Sequence, residues 1–210
     1  MKQKLILFYR IVLLISVVTG VYIEIADYGW GKLMYYTILS NIVVLFFTAY
    51  LVYLMIANLS WENSKVLRLK GGVTMCIMIT CVVYHFLLAP RATNFFQIEN
   101  LLCHYIVPLL FFFDTLFFDK RRQYRWYDPI SWTSVPLIYT LFALFNGFVT
   151  KISIPGAKDN PFPYFFLNVF KYGWPFVIKM SFIILIAYLL SSYVFYFIKS
   201  IRVGNIGRNA

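Results

Sequence analysis

Two side chains in a largely apolar sequence could do chemistry together. Thr37, in YYTILSN at 35–41, and His104, in NLLCHYIVP at 100–108, each stand four residues into a long apolar run. An alcohol is a poor nucleophile until a base takes its proton, and imidazole has the pKa to do so near neutrality. If both runs are helices crossing a membrane in the same direction, each residue lies roughly 6 Å below its helix start. Matched depth permits contact. In contact, Thr37 Oγ1 could attack an ester or amide carbonyl while His104 carries the proton to the leaving group. A titratable ring inside a membrane span is a functional hypothesis by default. The structural alternatives are plain: membrane threonines commonly bond their own backbone one turn back, and a histidine can simply link two helices.

The elements that must position this pair follow from composition. Of 210 residues, 61% are apolar and 21% aromatic, more than a soluble core could hide. The charged 13% cluster between apolar runs. These runs predict an all-α, polytopic integral membrane protein with six transmembrane helices, at about 5–22, 33–57, 72–88, 100–118, 130–149 and 174–198. They form one domain over 1–203, followed by a flexible tail at 204–210. The connections on one side hold thirteen Lys and Arg and those on the other five, so both termini are expected in the cytoplasm. Lys179, one turn into the last span, is expected to snorkel to the outer interface. The net charge of +11 fits this topology better than a nucleic-acid partner. Cys76, Cys81 and Cys103 all fall within spans and are expected as free thiols.

The longest connection, 150–173, belongs to the outer side. Its prolines and glycines oppose a helix and its aromatics favour the membrane interface, so it is expected as an aromatic belt rather than a lid.

An oxyanion formed at Thr37 needs donors. The candidates are the unpaired N–H groups opening spans two and four, and the amide of Asn41 one turn below Thr37. No triad carboxylate is visible, since Asp114 lies roughly 15 Å deeper than His104. Asn100, one turn before His104, could accept from the ring. Tyr139, Asn146 and Tyr164 are further supporting candidates for the same cavity, while His85 reads as an interface residue. Zinc spacing, a two-haem ligand set, a P-loop and a dinucleotide fingerprint are all missing from the sequence, so no metal or cofactor is expected. The competing class is a non-enzymatic transporter, lipid-binding protein or scaffold, in which the same polar groups pack or bind.

Several stretches together, 35–41, 83–88, 100–108, 132–139 and 163–165, resemble the bacterial branch of the androgen-induced / androgen-dependent TFPI-regulating protein family. The resemblance implies a multi-helix membrane protein that hydrolyses fatty acid esters of hydroxy fatty acids. It implies Thr37 as the nucleophile and His104 as its partner, with a membrane lipid or fatty acyl ester as substrate. The expected location is the bacterial cytoplasmic membrane, with the active site toward the outer leaflet.

Overall fold

The computed structural model describes residues 2–92 and 95–201; the expected tail at 204–210 lies outside them. Among the described residues there is no strand. Six helices are long and apolar enough to cross a membrane: α1 Gln3–Tyr28, α2 Tyr36–Ile56, α3 Ser64–Arg91, α4 Ile98–Phe118, α5 Asp128–Thr150 and α6 Val169–Ser200. The chain therefore has the expected all-α membrane-spanning architecture.

Boundaries depart from the apolar runs where capping or backbone geometry intervenes. Helix α3 starts eight residues early because the Asn63 side chain accepts the Lys65 N–H at 2.8 Å, a helix N-cap. Lys65, Arg68 and Lys70 thus stand on the helix rather than in a connection. In α6, Gly173 has φ +76°, which breaks the helix and leaves Trp174 to open the membrane-crossing part. Three π turns interrupt the helices, at Tyr84–Leu88 in α3, Leu102–Ile106 in α4 and Asn146–Thr150 in α5. All three lie at the end of the bundle where α2 and α4 begin, and π turns recur at functional sites.

Helices α1 to α4 form the central bundle, around Leu13, Val17, Val44, Leu51 and Phe111, all fully buried. Gly20 lets α1 approach α4: a Cβ there would sit 3.0 Å from Cys103 Sγ. Helix α5 joins α3 through its first turn, where Trp132 lies against Gly71 and Gly72 and an added Cβ would meet the indole at 2.9 Å. Arg68 Nε donates to Asp128 at 2.8 Å beside this contact, and Tyr188 of α6 donates to the Trp132 carbonyl at 3.1 Å. Farther along, α5 and α6 stand apart from α3, leaving an apolar cavity.

At the opposite end from α2's start, five charged side chains are buried inside the bundle. Arg10 Nε donates to Asp114 at 3.0 Å, and Lys70 bridges Asp114 and Asp119, the latter at 2.6 Å. Lys199 Nζ donates to the carbonyls of Thr115 and Asp119 at 2.9 and 2.8 Å. The Arg10 guanidinium also stacks 4.1 Å over Trp61. The thirteen basic residues counted in the connections of one side include Arg10, Lys70 and Lys199. These three instead fold inward, Arg10 and Lys70 pairing with Asp114 and Asp119 and Lys199 with main-chain carbonyls, linking α1, α3, α4 and α6. Removing one partner of a buried pair leaves a bare charge. Asp114→Ala is therefore expected to cost roughly 3–5 kcal/mol, read as a lower unfolding temperature in detergent. Lys120→Ala, which breaks an exposed pair with Glu62, should stay within about 1 kcal/mol.

Candidate active site

Thr37 and His104 meet. Thr37 Oγ1 lies 3.2 Å from His104 Nε2, and both side chains are buried. The other ring nitrogen, Nδ1, lies 3.0 Å from the main-chain carbonyl of Asn100. A carbonyl can only accept, so Nδ1 carries the proton of the neutral ring and Nε2 presents a lone pair to the Thr37 hydroxyl. That is the tautomer a general base needs. The π turn at Leu102–Ile106 carries His104 and takes the chain out of the regular i→i−4 ladder just after Asn100.

Asn100 thus accepts from the ring as expected, and does so through its backbone carbonyl. Its amide donates to Tyr84 Oη at 2.7 Å and to the Phe95 carbonyl at 2.8 Å, while its backbone orients the histidine. Tyr84 then stacks on the imidazole, with ring centroids 3.8 Å apart. Sequence reasoning missed Tyr84, because no spacing ties a residue of α3 to a histidine of α4.

The start of α2 supplies donors. Tyr35 is its N-cap and makes no side-chain capping bond, and Leu39 N–H is the first to return to the Tyr35 carbonyl. The N–H groups of Tyr36, Thr37 and Ile38 therefore surround the nucleophile at the positive end of the helix. Tyr164 reaches this same helix start from the loop before α6. Burial pushes its phenol up, opposed by the nearby Thr37 hydroxyl and the backbone at Tyr36 and Thr37. The phenol thus keeps its proton.

That connection, 150–173, matches the expected aromatic belt only in part, through the exposed Phe170 and Tyr172. Phe162, Tyr164 and Phe166 are buried within the protein rather than turned toward lipid. Asn146 holds the segment, donating to the carbonyls of Ile152 and Pro161 and accepting from Thr150 and the Ile152 N–H. Phe162 packs directly on Gly147, and Tyr35 Oη donates to the Pro155 carbonyl at 3.1 Å. Asn146 is thereby an organiser of the loop and does not line the cavity.

Asn41 also differs from expectation. Its Nδ2 donates to the carbonyl of Thr37, one turn back on α2, at 2.8 Å and to that of Cys103 on α4 at 3.0 Å, so both hydrogens are engaged and none is left for an oxyanion. Tyr139 donates to the Met34 carbonyl at 2.8 Å and packs edge-on against Tyr36, lining the cavity as expected. His85 is exposed and within 3.2 Å of Tyr105 Oη. Lys179 is exposed, and the three cysteines are free. Among the described residues, no group of His, Cys, Asp or Glu has the geometry to hold a metal ion.

Thr37 sits where two cavities converge. One, of about 370 Å³, lies between α3, α5 and α6 and is lined without a single charged residue. The other, of about 440 Å³, lies at the end of the bundle and is lined by Glu24, Lys32, Arg91, Glu99, Lys158 and Asp159 among others. Thr37, Tyr84, Leu88 and Tyr164 line both. His104 faces the charged one. This arrangement suits a molecule with an apolar part and a polar part joined near the threonine.

Comparison of the chain with protein-family models, curated proteins and solved structures finds no match. The reading of the site therefore rests on its geometry. Nitrogen-15 NMR of the His104 ring in detergent should find the proton on Nδ1 and a bare, hydrogen-bond-accepting Nε2 at neutral pH. A proton on Nε2 alone would contradict the base geometry.

Proposed function

We propose that this protein is an intramembrane lipid ester hydrolase in which Thr37 is the nucleophile and His104 the general base. The observation that carries the reading is the 3.2 Å contact between Thr37 Oγ1 and a histidine nitrogen left bare by its partner's bond to Asn100. Thr37 Oγ1 bonds to the ester carbonyl carbon as its proton passes to His104 Nε2. The developing oxyanion is met by N–H groups at the start of α2 and by the Tyr164 hydroxyl. Collapse breaks the bond to the alcohol oxygen, which takes the proton from His104. A water then attacks the acyl-threonine, giving its proton to Nε2, and Thr37 recovers that proton as the fatty acid leaves.

The excess of basic residues at one end of the bundle supports cytoplasmic termini, and so a site in the outer half of a bacterial cytoplasmic membrane. The substrate is a fatty acyl ester arriving from the lipid phase. Fatty acid esters of hydroxy fatty acids, which combine a long chain with an ionised group, head the panel to be tested.

Purified wild type should hydrolyse members of a long-chain ester panel and be labelled by a fluorophosphonate. Thr37→Ala and His104→Ala should each lose about 100-fold or more in turnover while remaining folded. Equal turnover in all three proteins would remove the hydrolase reading and leave a lipid-binding protein.

A further inference from the structure

We infer that the apolar cavity between α3, α5 and α6 is an acyl-chain subsite that measures chain length, with Ser181 and Leu185 of α6 as successive marks on its scale. This rests on the hydrolase reading and adds to it which half of the ester lies where.

The cavity begins at Thr37 and Tyr164 and is lined along α6 from Trp174 to Tyr188. From Val177 to Tyr188 is eleven residues of helix, so the lined wall runs roughly 16 Å toward the far side of the membrane. Its floor is firm. Tyr188 is buried and hydrogen-bonded to the Trp132 carbonyl, and Trp132 is itself seated on Gly71 and Gly72. The flank is open to lipid, since Ile178 and Phe182 line the cavity yet are exposed.

Two threonine hydroxyls of its wall are already engaged. Thr80 Oγ1 shares a hydrogen bond with Ser40 at 2.8 Å, and Thr140 Oγ1 donates to the Pro136 carbonyl at 2.8 Å. A slot of this form accepts a hydrocarbon chain and offers nothing to a charged head. The charged cavity on the other side of Thr37 is left for the alcohol half. Ser181 has the smallest side chain in the lining and stands midway down the α6 wall, with Leu185 one turn deeper. A tryptophan at either position would raise the floor to that level.

The test uses full-length protein in lipid nanodiscs and esters of one alcohol with acyl chains from hexanoyl to octadecanoyl. Ser181→Trp should lower kcat/KM for octadecanoyl by about tenfold or more and leave hexanoyl within about twofold. Leu185→Trp should spare longer chains than Ser181→Trp does. Parallel losses at all lengths, or unchanged profiles, overturn the subsite. In a second arm, Thr37→Ala protein is photolysed with an ester bearing a diazirine at the acyl terminus. Crosslinks near Tyr188 and Pro136 that an excess of unreactive ester suppresses support the subsite, and crosslinks elsewhere overturn it. A wild type that turns over none of the esters would sink the hydrolase reading, while the crosslinks still decide where the chain lies.

Discussion

The bond from the His104 ring to the Asn100 carbonyl decides what the Thr37–His104 contact can do. Were Nε2 protonated instead, the same two residues at the same distance could only share a structural hydrogen bond. The donor is held by a main-chain atom of its own helix, so the ring's orientation is set within one turn of α4 and needs no carboxylate. Tyr84 covers one face of the ring, and the Asn100 amide fixes Tyr84 in turn. The base is positioned by α4 and locked from α3, while α2 brings the hydroxyl.

Such a site needs helices that do not drift. Asn41 clamps α2 to α4 by donating to the Cys103 carbonyl, while its other hydrogen goes to the Thr37 carbonyl one turn back on α2. At the far end, the Arg10–Asp114–Lys70–Asp119 cluster ties α1, α3 and α4 together in a setting where unpaired charge would be severely penalised. Two rigid ends on the α1–α4 bundle contrast with the looser attachment of α5 and α6. Those two helices leave the room that a lipid chain would occupy.

Much of the fold is legible in the sequence, because backbone groups in hydrocarbon must pair within their own segment and six apolar runs therefore mean six helices. The depth match of Thr37 and His104 is legible for the same reason, since rise per residue converts position into depth. What periodicity could not supply is side-chain direction between helices. Arg10, Lys70 and Lys199 look like connection charges until their partners are seen. Asn41 and Asn146 look like free amides until the carbonyls they hold are seen. The loop before α6 carries interface-type aromatics, yet Gly147 offers Phe162 a seat and turns the segment inward. That Asn100 accepts from the ring is legible, but the accepting atom is not, because a backbone carbonyl at a π turn leaves no trace in residue type.

The central claim is that Thr37 becomes covalently acylated, and the direct measurement is peptide mass spectrometry of protein acid-quenched during exposure to a fatty acyl ester. The account predicts an acyl adduct on the peptide containing Thr37, accumulating within the first turnover and decaying as substrate is consumed. An adduct on another residue, such as Cys81 or Ser181, or steady hydrolysis with no acyl-threonine at any time, would contradict it.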